Sequence, residues 1–139
     1  MSDKIITQLD VKQLQELQAK MMSQILIIKF GADWCGPCKK IAPNYVDFIK
    51  TAPTNIIFSD IDIDESIDLY MNLKRNKMVS GIPVFFDYYV GVKRDKWFIP
   101  DDSIIGGDVK LVTEFFERCT KKALELGSGN KSEGYSYFS

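Results

Sequence analysis

No histidine occurs anywhere in the 139 residues. That absence removes Ser–His and Cys–His nucleophile pairs, and with them the commonest metal-binding side chain. Cysteine is scarce as well: Cys35, Cys38 and Cys119 are too few for a disulfide framework. Neither sign of charge dominates, since 18 Lys and Arg face 19 Asp and Glu, for a net charge of −1. Without a basic surplus the chain has little with which to displace counterions from a phosphate backbone, so nucleic acid is not an expected partner. Long apolar runs are missing too; none approaches the ~18 residues that a membrane-spanning helix needs, so no membrane role is expected. The opening "MSDKIITQLD" has no basic start leading into an apolar stretch, so no secretory signal is expected. A reducing, cytoplasmic setting is the expectation, with chemistry confined to thiols, carboxylates, lysines and backbone.

What is present suits one globular domain: 45% of residues are hydrophobic and 27% charged. The segments alternate between two periods. "IITQL" predicts a short strand, and residues 9–23 a helix, with Val11, Leu14, Leu17 and Met21 in helical spacing. "QILIIKFGA" and "NIIFSDIDI" are apolar runs of the kind buried on both faces of a sheet. Helices are predicted over 35–51, kinked at Pro43, over "SIDLYMNLKRNK", and over 108–126, capped by Asp108. "PVFFDYYV", turning at Gly91, and "KWFI" predict two further strands, the last at an edge. Alternation of this kind predicts an α/β fold with an antiparallel hairpin closing one side of the sheet. The folded domain is assigned to residues 1–126. The remainder, 127–139 ("GSGNKSEGYSYFS"), is small, polar and without period, and is expected to be a disordered tail.

The chemistry concentrates in "KFGADWCGPCKKIAP", residues 29–43. A Cys-x-x-Cys opening a helix puts Cys35 where unpaired N–H groups and the helix dipole favour a thiolate. Cys38, one turn on, is then close enough to attack a mixed disulfide formed by Cys35. Gly36 lets a partner's backbone approach, and Pro37 suits a first turn, where its missing N–H costs nothing. Cys35 therefore attacks and Cys38 resolves. Zinc would need about four ligands, and no second cysteine pair and no histidine exist to complete the set. The site calls for no metal and no cofactor.

"WCGPCKKIAP" resembles the active site of the thioredoxin family, and "GIP" at residues 81–83 resembles that family's second signature. The likeness spans residues 4–126. It implies a thioredoxin fold, a central mixed β-sheet flanked by helices on both faces. It implies a cis Ile82–Pro83 bond beside the nucleophile, pairing with a substrate strand, and a glycine, Gly106 or Gly107, bordering the substrate groove. Trp34 would be a flat, partly exposed contact surface rather than core, so substrate binding is expected on Trp34, Gly36, Pro37, Ile82, Pro83 and Gly106. Gly-Pro between the cysteines is the family's reductant pair, where glutaredoxins favour Pro-Tyr and disulfide isomerases Gly-His. The expected activity is thiol–disulfide oxidoreduction, the enzyme a protein-disulfide reductase. It would act as a monomer on oxidised proteins and be recycled by an NADPH-dependent thioredoxin reductase. The alternative is a thioredoxin-fold binding or assembly module in which redox activity is incidental.

This sequence also departs from the family. Where the family carries a buried Asp behind its second cysteine, Lys29 stands, and where the partner Lys would be, Asp60 stands. The expectation is an exchanged ion pair in which Asp60 supplies an acid/base carboxylate for Cys38 and Lys29 holds it. The blander alternatives are a structural pair, or a Lys29 that reaches out to solvent. Insertions around "MNLKRNK" and "RDKWFIPDDS" are expected to be surface elaborations, the second bordering the groove. Asp60, Asp62 and Asp64 do not make a calcium loop, because Glu65 and Met71 stand where Gly and an acid are needed. Asp64 is expected to help cap the next helix, Cys119 to be a buried apolar residue, and Phe85, Phe86, Tyr88 and Tyr89 to be core and sheet surface.

Overall fold

Strand β1 (Ile25–Gly31) is buried at every position, and the rest of the chain is arranged around it. The computed structural model describes residues 5–89 and 96–128, together with the backbone of 132–133 and 135–136. Within it β1 pairs in parallel with β2 (Ile56–Asp62) and antiparallel with β3 (Val84–Tyr89). β3 pairs antiparallel with β4 (Asp102–Ile105), so the sheet order is β2-β1-β3-β4.

The two-residue period of β1 sorts its side chains into two cores. Leu26, Ile28 and Phe30 join Leu14 of helix α1 (Val11–Lys20) and Leu69 and Leu73 of α3 (Ile67–Arg75). Ile25 and Ile27 join Ile41 and Tyr45 of α2 (Gly36–Thr51) and Val112, Phe115 and Phe116 of α4 (Val109–Ser128). Each such side chain is worth ~1.5–3 kcal/mol when fully buried. Phe48 and Phe116, stacked with centroids 4.4 Å apart, tie α2 to α4. Lys29 shares its parity with Ile25 and Ile27, so the strand delivers a charged side chain to the α2 side. The mixed sheet with helices on both faces is the α/β arrangement expected, and among the described residues no helix is long and apolar enough to cross a membrane.

Several local expectations are corrected. "IITQL" is not a strand: Ile6 makes a single parallel bridge to Ser59, donating to the Phe58 carbonyl (3.0 Å) and accepting from Asp60 N–H (2.9 Å). Helix α1 begins later than residue 9 because Asp10 caps it. Gln13 N–H donates to the Asp10 carboxylate (2.7 Å) and Asp10 N–H to the Gln13 side chain (3.0 Å). "KWFI" is a turn, and the edge strand is "DSII". In "KWFI" the Ile99 N–H donates to the Lys96 carbonyl (3.3 Å), Gln18 donates to the Trp97 carbonyl (3.0 Å) and Tyr88 to that of Phe98 (3.2 Å), while both aromatics pack on the first core. Asp108 does cap α4, accepting from the N–H groups of Lys110 (3.0 Å) and Leu111 (3.2 Å). α2 runs through Pro43 to Thr51, the extent expected.

The Gly91 turn, with Arg94 and Asp95 of the groove-side insertion, lies outside the described residues. Of the expected tail, the first two residues extend α4, and Ser132–Glu133 pairs with Tyr135–Ser136. The rest of the tail also lies outside the described residues.

Candidate active site

β1 ends at Gly31, and the next turn delivers Cys35 to the N-cap of α2. Cys35 N–H donates to the Ala32 carbonyl (3.1 Å), and the Cys35 carbonyl accepts from Lys39 N–H (3.2 Å), which starts the helix. Cys35 has extended backbone (φ −90°, ψ 109°), so its side chain turns back over the first turn, where Cys38 N–H donates to Cys35 Sγ (3.2 Å). The two cysteines are joined as a disulfide with Cα atoms 5.2 Å apart. Both are buried, while Trp34 next to them is 67% exposed, so its ring lies on the surface and not in the core.

Two further loops close on this turn. The Ile82–Pro83 bond is cis, as expected, and places the Ile82 carbonyl oxygen 3.9 Å from Cys35 Sγ. The Pro83 carbonyl accepts from Gly106 N–H (2.8 Å), and Gly106 has φ +102°, a conformation glycine tolerates best. Both glycines left open by the sequence prove necessary, for different reasons. A Cβ on Gly107 would meet Pro37 Cβ at 2.9 Å and the Pro37 carbonyl oxygen at 3.1 Å, so Gly107 sits flush against the motif.

Sequence reasoning missed the partner of Trp34. Its indole N–H donates to Asp64 (2.8 Å), so Asp64 anchors the exposed ring. Asp64 does not cap α3, whose N-cap Ser66 makes no side-chain cap bond. Only the spacing of Asp60, Asp62 and Asp64 along one strand end hinted at a role.

The exchanged charges do meet. Lys29 and Asp60 are directly paired in the β1–β2 register, and Lys29 Nζ lies 3.4 Å from Asp60 Oδ1. The Lys29 side chain is 7% exposed and that of Asp60 47%, so Lys29 does not reach out to solvent. Below the ammonium is the Tyr45 ring, at 5.6 Å, and the Tyr45 hydroxyl donates to the Ser59 carbonyl (2.7 Å). Burial above all, then the charge of Asp60, holds the Tyr45 phenol well above its ordinary value, so it stays protonated. Lys29, Asp60 and Cys38 line one cleft of about 270 Å³ beneath the motif.

Cys119 takes no part in this site. It is fully buried, as expected, and its thiol donates to the buried carboxylate of Asp87 (3.2 Å). Burial first and Asp87 second push its ionisation far above the ordinary thiol range.

A dithiol–disulfide pair at a helix N-terminus, flanked by a cis-proline loop and an exposed indole, defines a protein of the thiol–disulfide oxidoreductase class. Comparison with known proteins agrees. The family model "Thioredoxin" matches residues 5–97. "Thioredoxin 1" of Plasmodium falciparum is 32% identical over 83 residues, 60% of this chain and 75% of that one. A Neurospora crassa thioredoxin is 32% identical over 107 residues, 74% and 78% of the two chains. A solved Plasmodium falciparum thioredoxin superposes with a TM-score of 0.61 at 26% identity, covering 83% of this chain and 97% of that one. The chain belongs to the thioredoxin family. It is a thiol–disulfide oxidoreductase that reduces disulfides in protein substrates, and the binding-module alternative is not favoured. Members of the family act on protein disulfides and are in turn reduced by thioredoxin reductase.

Proposed function

We propose that Cys35 is the nucleophile and Cys38 the resolving thiol, and that the protein works as a cytoplasmic monomer recycled by an NADPH-dependent thioredoxin reductase. No nucleic acid or membrane takes part. The Cys35 thiolate attacks one sulfur of the partner's disulfide, the partner's other sulfur leaves as a thiolate, and a mixed disulfide forms. Cys38, deprotonated, attacks Cys35 Sγ and expels the second partner thiolate, which takes up a proton. The partner gains two electrons and two protons, and Cys35–Cys38 becomes the disulfide. Substrate docks on Trp34, Gly36, Pro37, Ile82, Pro83 and Gly106. Asp60 serves as the acid/base carboxylate for Cys38, with Lys29 holding it.

The observation behind these roles is the asymmetry of the two sulfurs. Cys35 is the N-cap residue, accepting the Cys38 N–H and lying beside the Ile82 carbonyl, whereas Cys38 lies behind it against the cleft. Cys38→Ser should accumulate a mixed disulfide with an oxidised protein substrate, read by mass spectrometry, and Cys35→Ser should not. Equal trapping by both variants would overturn the assignment. Asp60→Asn should slow reduction without unfolding the protein, and unchanged turnover across pH would remove Asp60 from the scheme.

A further inference from the structure

We propose that Lys29 is itself a positioning charge for the reaction: its buried ammonium favours the thiolate of Cys38, the sulfur that must ionise to resolve the mixed disulfide. This rests on the resolving role assigned to Cys38 above.

The geometry places the cation and the sulfur on the same side of Gly31. A methyl group on Gly31 would touch Cys38 Sγ at 3.3 Å and Lys29 Cε at 3.7 Å, so the sulfur and the end of the lysine lie no more than ~7 Å apart. Other charges face the same cleft: Asp33 from the loop after β1, Lys39 from α2, and Asp60 and Asp62 from β2. Lys29 is the buried one among them. Asp33, Lys39 and Asp60 are exposed and Asp62 is half-buried, so solvent and salt screen them more strongly. Screening therefore lets the single buried cation outweigh the more numerous carboxylates.

Burial disfavours a thiolate, and Cys38 is only 4% exposed. Lys29, lining the same cleft as Cys38, opposes that effect. A unit charge ~8 Å away at an effective permittivity of ~20 shifts an acid by about one to two pH units. Asp60, 3.4 Å from the ammonium, offsets part of this. The net expectation is a shift of about one unit, or tenfold more thiolate at a fixed pH below the midpoint.

The test is a titration of the Cys38 thiol in the full-length Cys35→Ser protein, by thiolate absorbance or by the Cβ chemical shift of labelled cysteine. Cys119 stays protonated far into the alkaline range, so the first thiol to titrate is Cys38. Its midpoint should fall at or below that of a free thiol, about 8.5. It should rise by about one unit in Lys29→Gln, and also in the pair-preserving reversal Lys29→Asp with Asp60→Lys. A midpoint well above the free value overturns the proposal whether or not either variant folds. So does a low midpoint that neither substitution raises, which would assign the effect to the helix N-terminus. The readout is ionisation and not turnover. A normal titration in a protein that reduces nothing would sink the proposed function and leave Lys29's role standing, and the reverse result would do the opposite.

Discussion

Gly107→Ala isolates what the closure of the three loops contributes. The added Cβ would lie 2.9 Å from Pro37 Cβ, 3.1 Å from its carbonyl oxygen and 3.2 Å from its Cα. These are ring and backbone atoms with no rotamer to relieve them, so either the loop at 106–107 or the first turn of α2 must move. Overpacking typically costs ~1–3 kcal/mol, and a clash with rigid atoms belongs in the upper half of that range. With a urea dependence of ~2 kcal/mol per M, the unfolding midpoint should fall by about 1 M at unchanged slope. Gly81→Ala is the control, since nothing lies within 4 Å of its Cβ position and its φ is ordinary. Displacement of Pro37 by tenths of an ångström should also lower kcat/KM for a disulfide-bonded protein by about tenfold. The assays are urea denaturation of the oxidised protein and substrate reduction with dithiothreitol as recycling reductant. A Gly107→Ala midpoint equal to that of Gly81→Ala and the parent would refute the contact argument.

Other positions give independent checks. Cys119 ionises far more easily unfolded, near its ordinary value of 9.0, than in the fold, where it stays protonated. Its contribution is thus complete below pH 9.0 and is lost as pH rises, at ~1.4 kcal/mol per pH unit for one proton. Cys119→Ser keeps a donor toward Asp87 and should flatten that alkaline decline by one such slope in denaturation series between about pH 9 and 11; an identical slope would count against it. Tyr45→Phe removes the donor to the Ser59 carbonyl and should cost ~1–3 kcal/mol in chemical denaturation. A loss below ~0.5 kcal/mol would mean that another group takes over the bond. Asp64→Ala frees the Trp34 indole and should lower kcat/KM by about threefold to tenfold with little change in stability. Unchanged kinetics would show that the ring needs no anchor.

Much of the chemistry was legible because it is local. Cys-x-x-Cys with Pro37 between is a helix-start pattern, and a helix start is decided by a handful of neighbouring residues. The two-residue period of "ILIIKF" likewise implies that Lys29 shares a face with Ile25 and Ile27, whatever that face packs against. Local rules failed where a long-range contact overrode them. "KWFI" has strand-like composition, yet Gln18 and Tyr88 take its Trp97 and Phe98 carbonyls, and Trp97 and Phe98 are drawn onto the first core. "IITQL" could form a strand only if β2 offered more than the one register position at Ser59.

What the sequence determined by itself is therefore the reactive pair, its helix and the parity of the strand behind it, all set by backbone geometry over a few residues. The tertiary structure alone decided which of two adjacent glycines abuts Pro37, that Asp64 holds Trp34 across 30 residues of chain, and that the buried member of the exchanged pair is Lys29. Those outcomes depend on how close two separately folded segments come. Side-chain packing and solvent access set that distance, and neither is encoded in spacing along the chain.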